Sequence, residues 1–386
     1  MSKVTNLQLQ SGVNFADIEK LLAIMVSEHP SKIQIPNSLS YSGGFGMEGA
    51  ALQLLATWFR NADSHILHTA IQKIKPDSFE TLCNSLFGLC ALRLADSVLL
   101  ASKEEIDLAV ALRPAIPVFA RLRSEDFKNS FKGPYLTLPA IKAPVIRGAR
   151  DREFDSPLYN NHDVIGAQKF AKVTRKAFGA ILPRLDEVNP STLTHLSEIL
   201  RELFTNTHRH GRTDVDGNPL AKNFRGIIFN SISLSAARLD EISKSDGRDM
   251  SLFILDWRPS GNRKFRALDI TVVDAGPGFA RRWHGLDKDQ LTIEQEKTAI
   301  IECFSKHKST DTTDSSGSGL SNVLEDLRIL RGWFRLRTGR TRVEKSFFKQ
   351  GGSNTVGADD IKEMGGFAEG VVFNVVIPLD SLLGAR

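Results

Sequence analysis

The apolar positions of this chain switch repeatedly between a helical and a strand period. Ile18, Leu21, Leu22 and Met25 mark a helix over residues 17–28, and residues 33–35 read as a strand. The glycine-rich turn SYSGGFGMEG then opens a helix over 47–59, with Leu52, Leu55 and Trp58 on one side. Residues 65–69 read as a short strand, 78–95 as one strongly amphipathic helix and 97–100 as a further strand. Strands alternating with helices predict a small α/β unit over residues 1–102.

Residues 103–160 break the pattern. Pro114, Pro117, Pro134, Pro139, Pro144 and Pro157 punctuate them, and Arg147, Arg150 and Arg152 crowd the end. They read as a connector or insertion with little regular structure, a solvated linker being the favoured form. A second unit is expected over 161–386. It opens with a helix over 164–181. Asn189-Pro190 starts another, with asparagine as N-cap and proline at the first helical position, running to about residue 209. Strand-like runs follow at 226–234, 251–257 and 268–273, helices at 293–304 and 320–330, and closing strands at 334–338 and 371–378. The expectation is an α+β sandwich, with helices on one face of a mixed, mostly antiparallel sheet.

Composition narrows the class. A chain of 386 residues favours two domains, at roughly 150 residues each. With 41% hydrophobic and 25% charged residues, wholesale disorder is excluded. The excess of 50 Lys+Arg over 45 Asp+Glu, +5, is too small alone to argue for nucleic acid. The best apolar run, 86–100, carries Arg93 and Asp96, so no membrane helix is expected. The start, MSKVTNLQLQ, lacks the apolar core of a signal peptide. Cys83, Cys90 and Cys303 can build neither a disulfide framework nor a four-cysteine zinc site. A cytoplasmic protein is expected.

Three segments carry chemistry. On the helix from Pro190, residues Glu202, Asn206 and His210 recur at i, i+4 and i+8 and share one face. A carboxylate and an amide oxygen one turn apart can hold a hydrated metal ion and a water, although a solvated polar face is the plainer reading of the helix alone. In LDITVVDAGPGFA an apolar run ends in Asp274, which can accept a hydrogen bond from an exocyclic amine. Gly276 and Gly278 beside it let the backbone approach a flat ligand, and a plain turn is the equal alternative. In STDTTDSSGSGLSNVLEDLRILRGW, residues Gly317, Ser318 and Gly319 lead into a helix at about Leu320. The N–H groups of such a helix start form an anion site; a linker before a helix is the alternative.

The order of these motifs, closed by GVVFNVVIPL, resembles the GHKL ATP-binding superfamily over about residues 162–386. The string E-x-x-T-N-x-x-x-H-G, here Glu202, Thr205, Asn206, His210 and Gly211, looks most like its anti-sigma-factor serine kinases. The resemblance implies ATP and Mg²⁺ as cofactors, Glu202 as general base, Asn206 as magnesium ligand and Asp274 as the reader of the adenine amine. It implies nucleotide contacts for His210, Gly276, Gly278, Gly317, Ser318, Gly319 and Leu320, and a mobile lid over 279–316 in which Lys306, His307 and Lys308 lie. The implied activity is ATP hydrolysis or phosphotransfer to a protein Ser/Thr, coupling nucleotide state to a protein partner, with a homodimer as one form. A non-catalytic nucleotide-dependent switch is the alternative. Departures are Val371 after Gly370, where a threonine is common, Thr207 in place of alanine, and additions at 212–266 and between Thr338 and Gly370. The first unit weakly resembles a STAS domain, with Ser38, Ser40 or Ser42 as the place of a phosphoacceptor.

Other chemistries fit less well. Gly-Lys never occurs, which removes a P-loop, and His208 and His210 lack partners at zinc spacing. His162 and His195 read as ordinary histidines. The run Arg328, Arg331, Arg335, Arg337, Arg340 and Arg342 with Trp333 and Phe334 makes nucleic acid a secondary, unfavoured partner.

Overall fold

Two five-stranded sheets organise the chain in a computed structural model that describes residues 7–40, 44–75, 77–143, 153–246, 248–259, 261, 263–305, 319–347 and 355–382. The first sheet holds β1 (Leu7–Gln8), β2 (Lys32–Ile35), β3 (Ile66–Thr69), β4 (Ser97–Leu99) and β5 (Glu105–Ile106) in sequential order. Its pairs are parallel except β4 with β5. The parallel steps are bridged by α1 (Phe15–Glu28), α2 (Met47–Asn61), and α3 (Glu80–Cys83) followed by α4 (Leu86–Leu94). Crossovers between sequential parallel strands are right-handed as a rule, which puts such helices on one face of their sheet.

The single amphipathic helix expected over 78–95 is two helices. The Ser85 hydroxyl accepts the Gly88 N–H at 3.0 Å and caps a new start. Every residue of α4 is buried, Arg93 included, so that helix is enclosed rather than amphipathic.

The stretch expected to be a poorly structured connector is built into the fold. It forms α5 (Leu108–Leu112), α6 (Ala115–Arg123), β6 (Tyr135–Lys142) and the first strand of a small hairpin, β7 (Tyr159–Asn160) with β8 (Asp163–Val164). β6 is an edge strand of the second sheet, and this is why proline misled: Pro139 sits opposite Gly226 on an edge, where only one side of the strand is paired.

The second sheet runs β11-β12-β10-β9-β6, with β9 (Asn223–Leu234), β10 (Phe265–Asp274), β11 (Trp333–Ser346) and β12 (Ile361–Pro378), and each neighbouring pair is antiparallel. The fold is α+β. α7 (Ala167–Ile181) and α8 (Pro190–His210) pack on this sheet, and α13 (Gly319–Ile329) packs on α8. Helices were expected on one face only. In the structure α1, α2 and α4, which bridge the strands of the first sheet, cover the other face. β10 shows both sides: Val272 and Asp274 face a cavity beside α8, while Asp269 and Thr271 meet the start of α2 at Gly46 and Gly49. With both faces buried, its apolar run is nearly continuous rather than alternating.

The run 251–257, read as a strand, lies up to residue 256 in α10 (Arg248–Asp256), which with α9 (Ala236–Asp246) packs beside the sheet. Met250, Phe253 and Ile254 are buried at helical spacing, against Phe265 and Trp333. α11 (Phe279–His284), α12 (Ile293–Phe304) and α14 (Leu379–Leu382) complete the chain.

Buried Glu48 on α2 marks the join between the layers. Its Oε1 accepts from the Phe87 N–H and the Tyr135 hydroxyl, each at 3.0 Å. Burial nevertheless pushes its pKa up to about 7. The fold therefore holds the protonated form, and this contribution to stability, complete below about pH 4.5, is lost as pH rises through about 7. Glu48→Gln should gain roughly 3 kcal/mol on wild type between pH 4.5 and 8. Urea unfolding at both pH values measures it; a pH-independent difference would refute the assignment.

Candidate functional site

α8 begins where its sequence says it should. The Asn189 side chain accepts the Ser191 N–H at 3.0 Å and Pro190 occupies the first helical position. Leu193, Leu196, Leu200, Leu203 and Phe204 are buried. Glu202, Asn206 and His210 are half-buried on another face and all three line one cavity. Among the described residues, the side chains of Glu202 and Asn206 have no hydrogen-bond or ion-pair partner.

Asp274 is the last residue of β10, paired across the sheet with Arg225 on β9 and Val371 on β12. Its Oδ1 accepts the Gly276 N–H at 2.9 Å. The turn is pressed against the end of α8: a Cβ on Gly276 would lie 2.5 Å from the Gly211 Cα, and one on Gly211 2.9 Å from the Asp274 Cγ. Gly370 has φ +76°, and a Cβ there would stand 2.1 Å from the Asp274 carbonyl oxygen, so glycine alone fits. Burial drives the Asp274 carboxyl up to about 7, against the pull of the Gly276 N–H and of Arg225, Arg282 and Arg60.

Behind this wall, Arg225 is fully buried. It donates to Glu153 Oε1 at 3.1 Å and to the Tyr159 hydroxyl at 2.8 Å, while Arg212 donates to the same Glu153 oxygen at 3.0 Å. Residues read as linker thus brace the cavity. His208 is nearby, its pKa lowered to about 4 by burial and then by Arg212 and Arg225, so it is neutral at pH 7.

The third segment arrives at the start of α13. Gly319 lies so close to Glu202 that a Cβ would fall 1.8 Å from its Oε1. Gly319 and Leu320 line the cavity; Gly317, Ser318, Lys306, His307 and Lys308 lie outside the described residues, as does Ser42. The described part of the expected lid, to Ser305, is helical over α11 and α12, and Arg340 of β11 anchors it by donating to Glu296 Oε1 at 2.6 Å.

The cavity is lined as well by Leu203, Thr207, Val272, Gly278, Val371 and Phe373, and by Arg209, Phe279, Arg282, Trp283 and Cys303. Sequence reasoning missed the last five. For Phe279, Arg282 and Trp283 the signal is the string GFARRW straight after the glycine turn: Arg282 donates to the His210 carbonyl at 3.2 Å and to the Thr213 hydroxyl, closing α11 over the end of α8. Gly276 does not line the cavity; it acts through Asp274.

Five of the six arginines that suggested nucleic acid pair with carboxylates of this chain, while Arg331 is exposed. Arg335 donates to Glu344 at 2.8 Å and lies 4.0 Å over the Phe15 ring; Arg337 donates to Glu19 of α1 at 2.8 Å; Arg328 pairs with Glu325 and Arg342 with Glu344. His195 Nδ1 lies 2.8 Å from Asp326 Oδ1, tying α8 to α13.

No family model, curated protein or solved structure matches this chain.

Proposed function

We propose that this chain binds Mg-ATP in the cavity beside α8, in the manner of the GHKL superfamily it resembles, and that Glu202 acts there as general base. One observation carries the reading. Three segments far apart in sequence, Glu202–His210, Asp274–Gly278 and Gly319–Leu320, meet around a single cavity.

The residues fit the ligand. Asp274 is a buried carboxylate with an unusually high pKa, which a donated N–H from an adenine amine would relieve. Val272, Val371, Phe279, Phe373 and Leu203 supply apolar walls for a flat ring, as ligand pockets generally do. Arg209 and Arg282 supply positive charge for phosphates. Asn206 offers an amide oxygen to Mg²⁺, which binds through few protein ligands and keeps waters. Bound ATP supplies an activated phosphoryl group. Glu202, one turn from Asn206, takes the proton of an attacking water or of a protein hydroxyl.

Asn206→Ala should abolish the magnesium dependence of triphosphate binding. Calorimetric titration of ATP with Mg²⁺ and with EDTA measures it; enhancement by magnesium equal to that of wild type would exclude Asn206 as the ligand.

The Glu202 carboxylate, without a partner among the described residues, favours chemistry over a purely conformational role. Incubation with γ-labelled ATP separates the two activities: released phosphate marks hydrolysis, and label on protein marks a kinase. Neither, in a protein that binds ATP, leaves the nucleotide-dependent interaction switch. Failure to bind ATP at all overturns the proposal.

A further inference from the structure

The C-terminal end of α2 reaches the cavity wall from the opposite face of the second sheet. α2 runs along β12, with Gly46 against Asn374, the Gln53 amide donating to the Arg337 carbonyl at 2.9 Å and the Thr57 hydroxyl accepting the Glu369 N–H at 3.0 Å. At its last turn the Arg60 guanidinium donates to the carbonyl of Ala275 at 2.9 Å. Ala275 directly follows Asp274. The next residue, Asn61, accepts from Lys288, in the stretch joining α11 to α12, at 2.5 Å. One helix end of the N-terminal unit therefore holds both the turn that carries Asp274 and the segment that covers the cavity.

We propose that Arg60 is a positioning residue for the Asp274 turn and that, with Asn61, it makes the N-terminal unit a regulator of ligand affinity in the cavity. The ligand identity rests on the ATP reading above; the mechanical claim does not. A guanidinium-to-carbonyl hydrogen bond is charge-assisted, and here it is made largely out of water, so it fixes the Ala275 peptide plane firmly. That plane sets where the Gly276 N–H points, and this N–H holds the Asp274 carboxylate. Arg60 also faces the buried Glu369, which accepts from Arg281 of α11 at 2.8 Å. A shift of α2 is thus felt at the carboxylate and at the cover together. Coupling of this kind is reciprocal: ligand in the cavity must tighten the end of α2 by the same factor.

Arg60→Ala and Asn61→Ala in the full chain test this, with Arg60→Lys as the conservative partner. A fluorescent ATP analogue with Mg²⁺ gives affinity, a thermal melt checks folding, and amide hydrogen exchange reads the turn without any ligand. Arg60→Ala should weaken binding roughly 5- to 150-fold while staying folded, with Arg60→Lys restoring part of the loss. Exchange at Gly276 and Phe279 should quicken in the free Arg60→Ala protein. In wild type, ATP should slow exchange over residues 55–61, and this protection should vanish in Arg60→Ala. Asn61→Ala should give a smaller loss of affinity, and it carries the test together with Arg60→Lys if Arg60→Ala does not fold. Folded variants with wild-type affinity and unchanged exchange would overturn the proposal. If wild type binds no ATP, the ligand reading falls; faster exchange at Gly276 in Arg60→Ala would still establish the positioning role, and unchanged exchange would remove it.

Discussion

Glu202→Gln should leave Mg-ATP bound while hydrolysis or phosphotransfer falls by at least about a hundredfold. A general base contributes typically 10²–10⁴-fold to rate, and glutamine keeps the shape and hydrogen-bonding capacity of glutamate without its basicity. Binding needs other groups: Asp274 for the amine, Asn206 for the metal, Arg209 and Arg282 for charge. Glu202 also packs closely against Gly319, so the isosteric variant is the proper one, whereas alanine would also open the space beside α13. A single-turnover assay against a binding titration on the same protein separates the effects. Turnover equal to that of wild type would exclude Glu202 as the base.

Asp274→Asn should weaken ATP binding roughly 10- to 150-fold, the equivalent of losing a charge-assisted hydrogen bond worth about 1.5–3 kcal/mol. The amide can turn an N–H toward the adenine amine, which is a repulsive pairing. The pH dependence sharpens the test. The wild-type carboxyl titrates at about 7 in the free protein, raised by burial, and an amine donor needs its ionised form. Affinity should therefore rise from pH 6 to pH 8 in wild type, and this component should be missing in Asp274→Asn. The fold responds in the opposite sense. A folded-state pKa above the ordinary carboxylate value stabilises the protein fully below about pH 4 and loses that contribution as pH rises through about 7. Asp274→Asn should thus be the more stable protein at pH 8 while binding ATP less well. Equal affinity in both proteins would remove the adenine assignment.

Local chemistry made much of this molecule legible from its residues. Asn189 and Pro190 announce the start of α8, and the i, i+4, i+8 spacing puts Glu202, Asn206 and His210 on one face, because cap preferences and helical period act within a few residues. The helix at 293–304 and the strand ending at Asp274 were legible for the same reason. What lay beyond reach depends on partners distant in the chain. β6 was hidden by proline, since only pairing with β9 shows that Pro139 lies on an edge. α10 was read as a strand because a short apolar run has no period of its own until Phe265 and Trp333 decide which side is buried. The arginines of β11 looked like a binding surface until Glu19, Glu344 and Glu296 met them. The sequence by itself determined many of the elements, the α+β class and the residues able to do chemistry. Only tertiary structure decided that three segments close on one cavity, and that α2 spans the sheet to hold its wall. Side-chain period and capping are encoded in neighbours, whereas burial and charge pairing are set by residues hundreds of positions away.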